Sequence, residues 1–84
     1  MQNTATPSVA PIAHLGGVTF KVSRPEITED GRELFILAKG RVEFLVALEG
    51  GKVTTSFNYN TMGPTMVRGR RVTIEFNGQS FYAV

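Results

Sequence analysis

The feature that most constrains this chain is a two-residue alternation of apolar and polar side chains, cut at short intervals by glycine-containing dipeptides. Val18, Phe20 and Val22 alternate with Thr19, Lys21 and Ser23, the period of a half-buried strand. RELFILA, RVEFLVALE and KVTTSFNY follow, divided by Lys39-Gly40 and Gly50-Gly51. Each divider suits a tight hairpin, because glycine reaches positive φ without a steric penalty. Arg24-Pro25 and the acidic run to Asp30-Gly31 mark a further turn, and Asn77-Gly78 near the end is the strongest short hairpin signal of all.

The turns predict a register. With Lys39-Gly40 and Gly50-Gly51 as loops, Phe35 faces Phe44 and Phe44 faces Phe57, so Leu37, Val42, Val46, Leu48, Val53 and Tyr59 share their side of the sheet. That face is the expected core, with three phenylalanines in a row across three strands. After a loop around Gly63-Pro64, Val72, Ile74, Phe76 and Phe81 form a second apolar stripe. The predicted fold is all-β, about six short hairpin-connected strands closing into a small antiparallel barrel or a two-sheet sandwich. The competing reading is α+β with a helix around residues 31–48, because Asp30 to Glu33 has capping-box spacing. A glycine at position 40 in mid-helix and the Val42, Phe44, Val46 alternation oppose it.

An 84-residue chain has room for one domain and buries only about 60–65% of the surface its unfolded form exposes. It contains no cysteine, so neither disulfides nor thiolate metal sites supplement that core. Pro7, Pro11 and the Thr, Ser and Ala content before Gly16 predict a flexible extended tail over residues 1–16, followed by a single β domain over 17–84. The start lacks the basic and apolar blocks of a secretory signal, and no later run reaches the length of a membrane span. A cytoplasmic protein without a membrane partner is the expectation. The net charge of +2 comes from nine basic and seven acidic residues, too slight a balance to argue for nucleic acid by itself.

Catalysis calls for a nucleophile with a base, paired carboxylates in a cleft, or metal ligands. The chain offers one histidine; His14 reads as a tail residue, and Glu26, Glu29 and Asp30 as a solvated turn without ligand spacing. Gly50-Gly51-Lys52 and Gly69-Arg70 lack the strand, loop and helix context of a phosphate cradle. The expectation is a non-enzyme with no metal, no cofactor and no small-molecule substrate.

Two surfaces remain. On the back of the predicted core face, Leu34, Ile36, Leu45 and Ala47 form an apolar patch where a one-sided sheet should be polar. Arg41 and Glu43 stand at its rim. The patch predicts a protein partner or a homo-oligomer, and hence an accessory or regulatory protein, unless Val9, Ile12 and Leu15 of the tail fold over it. The alternative function is a nucleic-acid-binding small barrel using Arg68, Arg70 and Arg71 of the RGRR cluster, with Lys21 and Tyr82 beside them.

Overall fold

The glycine dipeptides do turn the chain. Gly16-Gly17 and Gly50-Gly51 carry φ of 54°, 81°, 60° and 82°, the left-handed pair whose twist matches the strands on either side. The computed structural model describes residues 11–84. Its strands are β1 (Ile12–Leu15), β2 (Val18–Val22), β3 (Glu26–Ile27), β4 (Glu33–Lys39), β5 (Val42–Glu49), β6 (Lys52–Asn58), β7 (Met66–Val67), β8 (Arg70–Arg71), β9 (Ile74–Phe76) and β10 (Ser80–Ala83). No helix occurs among the described residues; the stretch around 31–48 that could have been helical is the β4–β5 hairpin.

Eight strands make one sheet in the order β6-β5-β4-β2-β1-β10-β9, with β3 also on β4, while β7 and β8 pair only with each other. The large sheet curls until β6 and β9 touch without sharing a ladder. The result is a small, nearly closed all-β barrel. Every pairing is antiparallel except β1 with β10.

The largest fully enclosed side chains are Leu15, Leu37, Phe44, Val46, Ile74 and Phe81. Phe20 stacks on Phe44 with ring centroids 5.3 Å apart, and Phe81 takes Phe35 edge-on at 5.3 Å and Phe76 at 4.6 Å. Such pairs contribute about 0.5–1.5 kcal/mol each beyond the area they bury. The core therefore joins phenylalanines from opposite sides of the barrel.

Three expectations are corrected. Ala13 and Leu15 lie in the core, and Ala13 pairs Phe20 on one side and Phe81 on the other. The predicted tail over 1–16 is thus a barrel strand from Ile12 to Leu15, and residues 1–10, Val9 among them, lie outside the described residues. Secondly, the first hairpin turns at Gly40-Arg41, so Leu37 faces Phe44 and Phe35 faces Val46, two residues from the predicted register. The last hairpin likewise pairs Phe76 with Phe81, because the Asn77 side chain accepts the N–H groups of Gln79 and Ser80 at 2.9 Å and makes a longer turn. A shift of two keeps every side chain on its face.

The third correction changes a face. Leu48 pairs Val53 as predicted, but Ala47 pairs Thr55, so Thr54 is an extra residue in β6. Beyond this bulge the alternation is inverted, since two residues oppose one. Phe57 falls opposite Leu45 and Asn58 opposite Phe44. The row of Phe35, Phe44 and Phe57 does not exist, and Phe57 and Tyr59 belong to the back of the sheet.

Candidate functional site

The bulge enlarges the apolar back. Cross-strand register sets three rows on the outer face of β4, β5 and β6. One row runs Glu26, Leu34, Ala47, Thr55; the next runs Ile36, Leu45, Phe57, with Ser23 donating and accepting bonds at Ile36. The third runs Lys21, Ala38, Glu43, Tyr59, the Tyr59 N–H donating to the Glu43 carbonyl at 2.7 Å. Leu34, Ile36, Leu45 and Phe57 are half-buried by one another, and Tyr59 is 50% exposed. Beside Tyr59, Met62 is 70% exposed at a left-handed φ of 62°.

Of the predicted interface residues, Leu34, Ile36 and Leu45 come together as expected. Ala47 is in the right row but only 2% exposed, because so short a side chain sits below the level of its neighbours; it supplies a floor and no contact. Glu43 is half-buried in the third row and Arg41 is exposed in the turn above it. Phe57 and Tyr59 were missed because a bulge at Thr54-Thr55 has no glycine to announce it. In the sheet order β1 is separated from this face by β2. Leu15 is committed to the core, and Ile12, at 59% exposure on β1, sits on a different part of the barrel.

Across the barrel the outer face is mostly polar, with Ile12 an exposed apolar side chain on it. Glu75, Tyr82, His14 and Thr19 form one row over β9, β10, β1 and β2. The Tyr82 hydroxyl donates to Glu75 at 3.1 Å, and His14 Nδ1 lies 2.9 Å from the Thr19 hydroxyl. The Glu75 carboxylate raises the Tyr82 pKa above its ordinary value, first by holding the hydroxyl proton in a hydrogen bond, with partial desolvation and its negative charge adding to this.

The RGRR residues form a third region. Thr65 anchors it, 4% exposed, its hydroxyl donating to the Val72 carbonyl at 2.6 Å while Val72 N–H donates to the Thr65 carbonyl at 2.9 Å. From that root β7 and β8 project as a hairpin turning at Arg68-Gly69, with φ of 52° and 77°. The left-handed region costs a residue with a β-carbon on the order of 1 kcal/mol. Val67, 5% exposed, packs over Gly16 and seats the hairpin on the barrel mouth. Between them lies a cleft of about 420 Å³ lined by Arg68, Arg70, Arg71, Val72 and Val84. Lys21 and Tyr82, grouped with these arginines on the sequence, do not line it; they lie on the outer faces of β2 and β10.

Charge is segregated along the barrel. Lys39, Arg41, Arg68, Arg70 and Arg71 stand at the mouth formed by the β1–β2 and β4–β5 turns and the β7–β8 hairpin. Glu26, Glu29, Asp30, Glu33 and Glu49 gather at the opposite mouth, with Arg24, Arg32 and Lys52. The one ion pair among the described residues is there, Arg32 to Asp30 at 3.2 Å. The Thr28 hydroxyl does most to hold Asp30 below the ordinary carboxylate pKa, against desolvation that raises it, and Arg32 lowers it further. No group of three metal-ligating side chains occurs among the described residues.

Fold and surfaces together define a small β barrel with an apolar sheet back and a basic mouth. Comparison with protein-family models, curated proteins and solved structures finds no match.

Proposed function

We propose that this barrel is a protein-contact module, and that its partner is a second copy of itself, packed back to back through the outer face of β4, β5 and β6. The observation that carries the reading is the bulge at Thr54, which places Phe57 and Tyr59 beside Leu34, Ile36 and Leu45. Aromatic side chains beside aliphatic ones, in a patch with a polar rim, are the composition of an interface centre.

The arrangement of the rows favours self-association. A two-fold axis along the Ile36, Leu45, Phe57 row, in the plane between two copies, sets that row against itself. It also sets the first row of one copy against the third of the other. Lys21 then faces Glu26, and the bulky Leu34 faces the small Ala38. Such self-complementarity is what an isologous contact requires. Each leucine or isoleucine fully withdrawn from water contributes about 1.5–3 kcal/mol, a large supplement for a barrel with so small a core.

Sedimentation equilibrium over a wide concentration range tests this. The wild type is expected to reach a dimer at micromolar concentration. Leu45→Asp should sediment as a monomer with an unchanged far-ultraviolet circular dichroism spectrum. Lys21→Glu and Glu26→Lys should each weaken the dimer and restore it when combined. A wild type that stays monomeric throughout overturns self-association.

A further inference from the structure

Arg68, Arg70 and Arg71 all line one concave site, and none of them has a carboxylate within ion-pair distance among the described residues. Residues 1–10 contain no aspartate or glutamate that could supply one. Arginines placed only to keep a strand end wet could stand anywhere along it. Here the turn gives its first central position to Arg68 at φ 52°, where glycine, asparagine or aspartate is the unstrained choice. The Arg68 guanidinium then lies over Gly17, so near that a side-chain carbon there would stand 3.8 Å from Nη1. Strain at the turn and a bare backbone beneath it hold one guanidinium at the lip of the cleft, with Arg70 and Arg71 on the following strand.

We infer that this cleft binds the phosphoryl group of a compact phosphate monoester. Guanidinium forks match phosphate oxygens in pairs, and a monoester carries about −1.5 to −2 charge at neutral pH on three terminal oxygens, the best counterpart for three clustered cations. Val67, Val72 and Val84 wall the same cleft and suit an apolar body attached to the phosphate. A nucleic-acid strand needs a longer basic track with stacking aromatics. The aromatic rings here are in the barrel interior or on the outer faces of β6 and β10, and none lines the cleft. This site is separate from the proposed dimer face and stands without it.

The test is a titration of the labelled protein with phenyl phosphate, inorganic phosphate and a short oligothymidylate at constant ionic strength, followed by backbone amide shifts. Saturable shifts confined to Gly16, Gly17 and residues 67–72 are expected with phenyl phosphate, and weaker ones with inorganic phosphate. Arg68→Gly is the decisive variant, because glycine suits the left-handed turn and the fold is retained or strengthened. It should bind phenyl phosphate about tenfold more weakly, and Arg70→Gln should weaken binding similarly. Equal affinity in wild type and Arg68→Gly, or shifts that never saturate, overturns the site. Tighter binding of the oligonucleotide, with shifts spreading to Lys21 and Tyr82, overturns the compact ligand in favour of a nucleic-acid strand.

Discussion

Around β9, β10, β1 and β2 one outward row is Glu75, Tyr82, His14 and Thr19, hydrogen-bonded in neighbouring pairs, with Ile12 an exposed apolar side chain beside it. Around β4, β5 and β6 the outward side chains include Leu34, Ile36, Leu45 and Phe57 side by side, with Thr55, Glu43 and Tyr59 in the flanking rows. Both arcs belong to one sheet and back onto the same phenylalanine core. Closing the barrel therefore does not demand a cluster of apolar side chains on its outside. The proposed contact is placed on the apolar arc for that reason.

The comparison breaks most sharply by cutting rings from either side of the same sheet. Phe44→Ala removes an enclosed ring and should cost about 3–5 kcal/mol, a large share of the roughly 4–12 kcal/mol available to a domain of this size. Phe57→Ala on the apolar arc should cost the monomer only about 1 kcal/mol while abolishing association. Urea titration at low protein concentration separates the two.

A smaller effect is expected from deleting Thr54. Without the extra residue Phe57 is directed inward, opposite Phe44, where Asn58 now stands. Overfilling a packed interior costs roughly 1–3 kcal/mol, and the outer arc loses its ring in the same step. Stability should fall further than in Phe57→Ala, and association should be lost in the same step. A deletion that leaves both unchanged would show that the bulge is not what sets the face.

Smallest are the titrations, which distinguish the polar arc from the acidic mouth. Tyr82 has a raised pKa, so its contribution is complete below the unfolded value near 10 and is lost as pH rises through the folded one. Ultraviolet difference absorbance should show this late ionisation and its return towards normal in Glu75→Gln. Asp30 has a lowered pKa; its contribution is present above the unfolded value of about 3.9 and disappears as pH falls through the folded one. Asp30→Asn should remove that acid-side loss from a stability-against-pH curve and change little at neutrality.

Much of this architecture is legible in the residues. Alternation identified β2, β4, β5 and β10, and the glycine dipeptides located their turns, because positive φ is scarce enough to mark a reversal. Register was harder. Lys39 remains in the ladder and Gly40-Arg41 makes the turn, a choice that dipeptide preference leaves open, yet an even slip preserves both faces. The Thr54 bulge is an odd slip in a threonine pair that fits a regular strand equally well, so Phe57 was assigned inward. β1 was hidden by its brevity and by the prolines before it, although Gly16-Gly17 carries the same signature that located the β5–β6 turn. For the basic mouth, the arginines were visible but their clustering was not, since it depends on Val67 settling over Gly16.

The parallel pairing of β1 with β10 imposes an order of assembly. A nascent chain can form the β4–β5 and β5–β6 hairpins as soon as they leave the ribosome, but the slot for Ile12–Leu15 has only one wall until Ser80–Ala83 has been made. Ala13 and Leu15 must wait, with one wall only, until the chain has been made through Ala83. The final closure is then a long-range event, slow relative to the hairpins, and in that interval the half-finished barrel is most open to chaperones or to mispairing with another nascent copy.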